Sequence, residues 1–372
     1  MSQAKRKKKK SIAKDVLIIF LSLIMILISI SAMLFVWWKT VLKNKQLFNE
    51  GSDIEQDTKL FASGDNYRKS INFLFVGLDE SESLTDVMMI VNLDIEKNEM
   101  HILHIPRDSY IGLDVTNTGK INSVYSSNAY SDISGMTNVG RLIKTVNKNF
   151  QLGIDFYATI TLSAFRDVVD LTGGVPIDML WTINYDDNIT LYNGTHYNLT
   201  GEQAEAMIRY RAGYNNADIG RMEARSYFMS AAFSHFKDLG ITKVLKIFDS
   251  FLDENKGEFT TNMTLGEMKD YLSLASKLTS DKVFVHTIPT ESVGTTEYCN
   301  PTSNWAEPQS LLTMHKQETA DLLNQYFRPY TDMVDASELQ IIELKNTGDS
   351  YAEEVKTFTQ IANGEGSIPR NY

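Results

Sequence analysis

Residues 71–108 read INFLFVGLDESESLTDVMMIVNLDIEKNEMHILHIPRD. The first part, INFLFVG, is a short apolar run that a glycine closes, and it predicts a buried strand. Two further runs that are rich in β-forming residues, DVMMIVNLDI and EMHILHIP, are joined at the polar segment EKNE. This pattern predicts a β-hairpin beside the buried strand.

Helical and strand-like segments alternate in the rest of the chain. DFYATITL (155–162) predicts a strand, and SAFRDVVDLTGG (163–174) predicts a short helix with glycine at its end. Thr200 and Gln203 have the spacing of a capping box, which predicts a helix that starts near Gly201. Further helices are predicted at 219–240, 264–278 and 310–327, and a further strand at 282–289. The mixture indicates an α/β or α+β sandwich.

The N-terminal region predicts a membrane anchor. Residues 16–38, VLIIFLSLIMILISISAMLFVWW, contain no charge, and as a helix they would span roughly 34 Å, enough to cross a bilayer. A cleaved signal peptide has a shorter apolar region, whereas this one ends in aromatic residues and a lysine that suit an interfacial anchor. Lysines and one arginine crowd residues 1–15, so we expect that end in the cytoplasm and the rest outside.

These observations divide the chain into five parts. We expect a basic cytoplasmic tail (1–15), a single transmembrane anchor (16–38), an extracellular stalk (39–69), a main domain (70–335) and a polar C-terminal tail (336–372).

Charge excludes one class of partner. The net charge is -11, and the first 14 residues hold seven of the 36 lysines and arginines and none of the 47 acidic residues. The exported part is therefore more acidic than the whole chain, and it lacks the broad basic surface that nucleic-acid binding requires. We expect no nucleic-acid partner.

Basic residues nevertheless cluster in one stretch, RYRAGYNNADIGRMEAR (209–225). Its four arginines are Arg209, Arg211, Arg221 and Arg225. We expect Arg221 and Arg225 in the first turns of a helix, where the free N–H groups and the helix dipole favour an anion. Guanidinium groups match phosphate oxygens in bidentate geometry, so phosphate is one reading of the cluster. The other is a set of surface salt bridges with Asp218, Glu223 and Glu205.

A second group of polar residues follows the third predicted strand. HIPRDSYIG (104–112) places Arg107 and Asp108 in a loop at the sheet edge, where functional groups are often displayed. Lys120 and Asn122, in the segment KIN, add a cation and an amide. A structural ion pair between Arg107 and Asp108 is the alternative.

Asp79 and Asp86 lie at the ends of two adjacent predicted strands. Two carboxylates near phosphate suit Mg²⁺, which takes one or two carboxylates together with phosphate oxygens and water. The alternative is that these aspartates cap turns. The sequence contains no HExxH, CxxC, Walker A or GxSxG pattern that would indicate other chemistry.

Taken in order, seven motifs resemble those of the LytR-CpsA-Psr family: FLFVGLD, TDVMMIV, HIPRDSYI, KIN, GIDFYATITLSAFRDVVDLTGGVPID, LTGEQAEAMIRYR and DIGRMEAR. The resemblance covers residues 70–240 closely and extends loosely to about residue 335. It implies an α/β fold with a mixed central sheet between helices, and an apolar pocket for a lipid with pyrophosphate at its mouth.

The resemblance also implies a function. Members of the family are envelope phosphotransferases that move a glycopolymer, such as teichoic acid or a wall or capsular polysaccharide, from a polyprenyl pyrophosphate to peptidoglycan. The chain would then be a single-pass protein of a Gram-positive cell membrane, with membrane lipid and peptidoglycan as partners. Two alternatives stay open, namely a hydrolase of the lipid pyrophosphate and a weakly active lipid-binding or regulatory envelope protein.

Site residues follow from the same resemblance. Arg107, Asp86 and Asp108 are the expected catalytic residues, and Asp79 and Asp86 the expected ligands of Mg²⁺ or Mn²⁺. The resemblance implies that Arg107, Arg209, Arg211 and Arg221 bind the pyrophosphate, and we add Arg225 and Lys120 as expected ligands from their places in the sequence. Asp218 and Asn122 are secondary candidates.

This chain departs from the family pattern at two positions. Leu84 stands where many members have arginine, two residues before Asp86. Ala224 stands where many members have the second arginine of Gly-Arg-x-x-Arg-Gln, and Arg225 takes the position of the glutamine. Arg225 is therefore a candidate to replace the displaced cation.

Overall fold

The computed structural model describes residues 69–214, 217–255, 257–295, 309–344 and 355–365. The expected basic cytoplasmic tail (1–15) and the expected anchor (16–38) lie outside these ranges. So does the expected stalk (39–69), except for residue 69. None of the described helices has the length and apolar character that crossing a membrane requires.

The first three strands are β1 (Ser70–Leu78), β2 (Thr85–Asp94) and β3 (Glu99–His104). β2 runs antiparallel to β1 and to β3, which confirms the predicted hairpin and the strand beside it. The central sheet has seven strands in the order β13-β10-β3-β2-β1-β4-β9. Its parallel pairs are β1 with β4 and β3 with β10, so the sheet is mixed. The other strands are β4 (Phe156–Ile160), β5 (Val175–Asp178), β6 (Ile183–Asn184), β7 (Thr190–Leu191), β8 (His196–Leu199), β9 (Phe259–Thr261), β10 (Val283–Thr287), β11 (Thr290–Thr295), β12 (Gln309–Met314) and β13 (Lys356–Thr357).

Eight helices are described, and capping signals in the sequence place several of them. They are α1 (Asn138–Phe150), α2 (Leu162–Leu171), α3 (Gly201–Arg209), α4 (Ala217–Leu239), α5 (Ile241–Glu254), α6 (Leu265–Ala275), α7 (Lys316–Tyr326) and α8 (Phe358–Ala362). The capping box of α3 forms as predicted, because Thr200 accepts from the Gln203 backbone and the Gln203 side chain accepts from that of Thr200.

Helices cover both faces of the sheet. Successive side chains of β1 point to opposite faces, so neighbouring residues of this strand contact different helices. Ile71 and Phe73 belong to an apolar cluster with side chains of α4, α6 and α8. Burial of a side chain such as Phe73 contributes about 1.5 to 3 kcal/mol. On the opposite face the Asn72 side chain donates to the carbonyl of Phe327, just after α7. Arg328, the next residue, donates to the carbonyl of Phe150 at the end of α1.

Two segments differ from the sequence expectation. The helix predicted at 310–327 begins only at Lys316, and its first residues belong to β12, which pairs with β11. Apolar residues alone do not distinguish a short strand from a helix. Here pairing with β11 makes these residues a strand. The expected polar tail contributes β13, which pairs with β10, and α8, whose Phe358 is buried. The folded domain therefore continues beyond residue 335.

Candidate active site

A pocket lies where β2 begins and β3 ends, against the first half of α4. It is lined by Asp86, Val87, Met88, His104, Ile105, Pro106, Arg107, Asp108, Arg221, Met222, Arg225 and Leu312. The start of β2, the loop after β3 and α4 thus bring three arginines and two aspartates together, and β12 adds Leu312. The fold places the HIPRD loop, the TD motif and the GRMEAR helix at one site.

Arg107 pairs with both aspartates of this pocket. Its Nη1 donates to Asp86 Oδ1 at 2.7 Å, and its Nε lies 4.0 Å from Asp108 Oδ2. Asp108 also accepts from Lys120 Nζ at 2.9 Å. The side chain of Asp86 is 20% exposed and that of Asp108 only 7%. Asp86 is therefore the carboxylate that a substrate reaches more easily.

The backbone around Asn122 holds this arrangement together. The Asn122 amide donates to the carbonyl of Arg107 at 3.2 Å, and its carbonyl accepts from the hydroxyl of Thr85. Lys120 and Asn122 thus come from a loop that is bonded both to the β3 end and to the β2 start. This loop fixes the spacing between Arg107 and Asp86.

The two arginines of α4 are buried, which the sequence pattern did not predict. Arg221 is 5% exposed and Arg225 is 8% exposed. Arg225 lies about two turns into the helix, near the helix start where it was expected, but its side chain is buried. Its Nε donates to the carbonyl of Ile208 and its Nη1 to the carbonyl of Asp86, both at 3.1 Å. Arg225 is therefore part of the packing as well as of the pocket.

Arg209 and Arg211 lie outside the lining of this pocket. Arg209 is the last residue of α3, and its Nη1 contacts Glu205 Oε1 at 2.8 Å and Glu80 Oε1 at 3.4 Å. The salt-bridge reading is thus confirmed for Arg209 and Glu205. Arg211 is exposed in the loop after α3. Asp218 lies in the first turn of α4, and its side chain is outside the described part of the chain.

Asp79 is engaged in the turn between β1 and β2. Its carboxylate accepts from the Ser81 hydroxyl at 2.7 Å and from the amides of Ser83 and Leu84 at 3.0 and 2.9 Å. Burial alone would raise the pKa of Asp79, but these hydrogen bonds outweigh burial and hold the pKa below its ordinary value. The alternative in which Asp79 caps a turn is therefore confirmed.

The donor set limits the kind of metal site. Within the described residues no group of three or more His, Cys, Asp or Glu side chains is arranged to hold a metal ion. Asp86 lines the pocket, and Asp79 stands at the other end of the same turn. Asp86 is therefore the carboxylate of this pair that a hydrated Mg²⁺ or Mn²⁺ in the pocket would meet, whereas Asp79 lies outside the lining and its carboxylate already accepts three hydrogen bonds.

His104 is a pocket residue that the sequence motifs contained but did not single out. Its Nε2 lies 3.2 Å from the hydroxyl of Ser226, which itself donates to the carbonyl of Met222. Burial, and secondarily the charge of Arg225, lower the pKa of His104 to about 3. A neutral imidazole therefore joins the end of β3 to α4. Leu312 was also missed, because it lies in the strand that was taken for a helix.

The family to which this chain belongs agrees with this geometry. The profile of the LytR_cpsA_psr family matches residues 38–324, well over half of the chain. The chain belongs to the LytR_cpsA_psr family. This membership confirms the resemblance that the seven motifs carry.

Relatives in this family are distant in sequence. The chain is 26% identical over 291 residues to the polyisoprenyl-teichoic acid–peptidoglycan teichoic acid transferase TagU of Bacillus licheniformis. The aligned region covers 77% of this chain and 89% of that protein. It is 25% identical over 232 residues to the transferase TagV of Bacillus subtilis. This aligned region covers 59% of this chain and 56% of TagV. The chain thus spans little more than half the length of some relatives that it matches.

The fold is that of solved family members. The crystal structure of B. subtilis TagV superposes with a TM-score of 0.55 at 23% identity, covering 70% of this chain and 97% of TagV. The mixed sheet between helices is therefore the fold of the LytR_cpsA_psr family.

The structure shows where the two departures from the family pattern lie. Leu84 is one of the exposed large apolar side chains, in the turn that Asp79 caps. Ala224 is fully buried in an apolar cluster with Tyr227 and Phe228. A guanidinium at position 224 would have to enter this cluster, whereas position 225 faces the pocket. In this chain the cation therefore belongs at 225.

Proposed function

We propose that this protein is a membrane-anchored phosphotransferase that moves a glycopolymer from a polyprenyl pyrophosphate to peptidoglycan. The observation that carries the proposal is the meeting of Arg107, Arg221 and Arg225 with Asp86 in one pocket. The names of the related transferases TagU and TagV support the same reaction.

Charge in the pocket matches the proposed substrate. Three arginines and Lys120 stand against two carboxylates, Asp86 and Asp108. The balance is two positive charges, and a pyrophosphate that is esterified at both ends carries two negative ones. Guanidinium groups bind such oxygens in bidentate geometry. Arg209 and Arg211 lie further out, and we assign them to the part of the substrate that leaves the pocket.

An apolar strip next to the pocket suits the prenyl chain. Phe75 lies in the middle of β1, a central strand, yet it is 36% exposed. Its neighbours across the sheet are Met89 on one side and Ala158 on the other, and Met89 in turn pairs with His104 at the pocket. Large apolar side chains in a central strand are normally buried. The strip therefore supports a lipid that runs from the pyrophosphate along this face of the sheet.

The arginines and Asp86 supply the groups that in-line displacement requires from the protein. The oxygen of the acceptor hydroxyl forms a bond to the phosphorus next to the polymer, the bond from this phosphorus to the bridging oxygen breaks, and polyprenyl phosphate leaves. Arg107, Arg221 and Arg225 stabilise the charge that develops on the phosphate oxygens. Asp86, which Arg107 holds at 2.7 Å, accepts the proton of the hydroxyl.

A divalent ion fits this scheme. Asp86 would hold Mg²⁺ or Mn²⁺, which neutralises charge on the phosphate oxygens when it is bound. The membrane anchor at 16–38 would keep the domain beside its lipid substrate outside the cell. Protease added to intact protoplasts should then remove the domain and leave the basic tail protected.

The test is transfer by the full-length protein in vesicles, with a polyprenyl-pyrophosphate disaccharide as donor and soluble un-crosslinked peptidoglycan as acceptor. We expect the disaccharide, with its phosphate, on peptidoglycan, and a loss of about 10²- to 10⁴-fold in Asp86→Asn, which keeps the shape of the side chain but cannot take a proton. We also expect loss on chelation and recovery with Mg²⁺ or Mn²⁺. Release of free disaccharide phosphate with no transfer would replace the transferase by a hydrolase, and full activity of Asp86→Asn would remove Asp86 from the mechanism.

A further inference from the structure

One side-chain contact joins the two elements that carry the pocket arginines. His104 is the last residue of β3, three positions before Arg107, and Ser226 follows Arg225 in α4. His104 Nε2 lies 3.2 Å from Ser226 Oγ, and both residues are buried, at 3% and 7% exposure. The contact therefore ties the strand that leads into the HIPRD loop to the GRMEAR helix.

The hydroxyl of Ser226 fixes the direction of this bond. It donates to the carbonyl of Met222, one turn earlier in α4, at 2.9 Å, and a hydroxyl has one proton to donate. Its oxygen must therefore accept from the imidazole, so Nε2 of His104 carries the hydrogen. The bond to Met222 also sets the rotation of the hydroxyl, so that Ser226 presents a lone pair to β3.

The imidazole is neutral at this place. Burial, and secondarily the charge of Arg225, lower the pKa of His104 to about 3. A base this weak is poorly suited to take the proton of an acceptor hydroxyl near neutral pH, and its N–H is directed at Ser226. His104 thus adds a hydrogen bond between β3 and α4 without adding a charge that would repel the arginines.

The face of α4 that meets His104 also carries the arginines. Arg221, Met222 and Arg225 line the pocket, and Ser226 lies four positions after Met222, so it shares their face. A shift of Ser226 relative to β3 consequently moves both guanidinium groups relative to Arg107. A displacement of about 1 Å in a site of this kind can cost about 10²-fold in rate.

Arg225 is itself an anchor of this turn of α4, since its Nη1 donates to the carbonyl of Asp86. A phosphate in the pocket competes for the same guanidinium, because an anion is a stronger acceptor than a carbonyl. The bond between His104 and Ser226 uses no group that binds phosphate. Ligand binding therefore leaves this second anchor in place.

We propose that His104 is a positioning residue, which through Ser226 holds Arg221 and Arg225 at the distance from Arg107 that a pyrophosphate requires. The proposal rests on the proposed function, since it concerns the same pocket. A residue that acted only on stability would change the melting temperature and leave the affinity of the folded pocket unchanged. A positioning residue changes this affinity in protein that stays folded.

Equilibrium binding of geranylgeranyl pyrophosphate to full-length protein in detergent, with no acceptor present, tests this role. Ser226→Ala removes the acceptor of the bond, and because alanine favours helices the variant should stay folded. We expect its Kd to rise by about five- to tenfold, and that of His104→Leu by the same factor. The double variant should bind no more weakly than about tenfold below wild type, because both substitutions break one bond.

Two further variants complete the test. His104→Gln places an amide donor near the position of Nε2, and its Kd should stay within about threefold of wild type. Ser230 provides the matched control, because it is 2% exposed, lies one turn after Ser226 and donates to the carbonyl of Tyr227 at 2.8 Å within α4. Ser230→Ala should leave the Kd within about twofold of wild type.

Binding and transfer answer separate questions. If Ser226→Ala and His104→Leu bind within about twofold of wild type, the positioning role is wrong, whatever their melting temperatures. Equal losses in His104→Gln and His104→Leu would also overturn it, since the donor would then not matter. If the wild type transfers nothing but the variants bind the pyrophosphate more weakly, the positioning role stands and the transferase reaction fails. A wild type that binds geranylgeraniol as tightly as the pyrophosphate would overturn both.

Discussion

The guanidinium of Arg225 donates to the backbone carbonyl of Asp86 at 3.1 Å. Its Nε donates to the carbonyl of Ile208 at the same distance. One buried side chain of α4 thus ties the start of β2 to the end of α3. Arg221 and Arg225 therefore belong to the folded core of the site, whereas Arg211 lies on the surface.

Replacement of Arg225 should reduce both stability and activity. In Arg225→Leu the carbonyls of Ile208 and Asp86 lose a charged donor, and each such hydrogen bond contributes about 1.5 to 3 kcal/mol. We expect the free energy of unfolding to fall by about 3 to 6 kcal/mol, measured by chemical denaturation. The matched control is Arg211→Ala, an exposed arginine in the adjacent loop, which should change stability by less than about 0.5 kcal/mol. Equal stability of the two variants would contradict the structural role of Arg225.

Local signals explain which parts of the fold the sequence predicted. The β2–β3 hairpin and the α3 capping box depend on neighbouring residues, and both form as predicted. The strand β12 was missed because its identity depends on pairing with β11. The strand β13 was missed because two residues carry too little pattern to indicate pairing with β10.

The sequence predicted which residue types form the site, but it predicted the burial and contacts of these residues less well. Arg107, Asp86 and Lys120 lie together as their motifs suggested. Burial of Arg221 and Arg225 was not predictable, because spacing along a helix fixes which residues share a face and not what that face contacts. The roles of Ala224 and Arg225 also depend on which side of α4 packs against the apolar cluster.

Gly220 should be intolerant of a side chain, although alanine favours helices. A Cβ at this position of α4 would lie 2.6 Å from Tyr214 Cβ and 2.7 Å from Tyr214 Cγ. Tyr214 is buried and accepts a hydrogen bond from Trp181 Nε1 at 3.1 Å, so it has little room to move. The clash costs about 1 to 3 kcal/mol, which exceeds or cancels the helix preference of about 1 kcal/mol. We expect Gly220→Ala to lower the melting temperature and, by displacing Arg221, the rate of transfer.

Gly266 provides the matched comparison for this substitution. It also lies in a helix, α6, but the nearest atom to its Cβ would be 4.0 Å away. Gly266→Ala should therefore raise stability by up to about 1 kcal/mol. A higher melting temperature for both variants would show that Tyr214 yields to the new methyl group.

Buried histidines should make the fold sensitive to mild acid. His101 Nδ1 lies 3.0 Å from His286 Nε2 on the neighbouring strand. Burial lowers the pKa of His101 to about 4 and those of His286 and His104 to about 3, from an ordinary value of 6.5. Because the folded state binds these protons more weakly than the unfolded state, their stabilising contribution is complete above pH 6.5 and falls as the pH drops towards 4 and 3.

Chemical denaturation between pH 7 and 4.5 measures this effect. Each of the three histidines should lower the free energy of unfolding by up to about 1.4 kcal/mol per pH unit below 6.5. His196→Ala removes an exposed histidine and should leave this slope unchanged. A free energy of unfolding that stays constant from pH 7 to 5 would show that the buried histidines titrate normally.

Arg107 should separate catalysis from stability more cleanly than Arg225 does. Its pair with Asp86 is partly exposed, at 22% and 20% of the two side chains, so its loss should cost at most about 1 kcal/mol of stability. A charge-assisted bond to phosphate contributes about 1.5 to 3 kcal/mol, so Arg107→Ala should lower kcat/KM for transfer by roughly 10- to 150-fold. Arg107→Lys keeps the charge but not the bidentate geometry, and it should fall between the wild type and alanine. Measuring kcat/KM and the melting temperature of both variants decides whether Arg107 contributes to catalysis or only to stability. A folded Arg107→Ala protein with unchanged transfer would leave Arg107 as a structural partner of Asp86 alone, and the phosphate would then have to be bound by the buried arginines of α4.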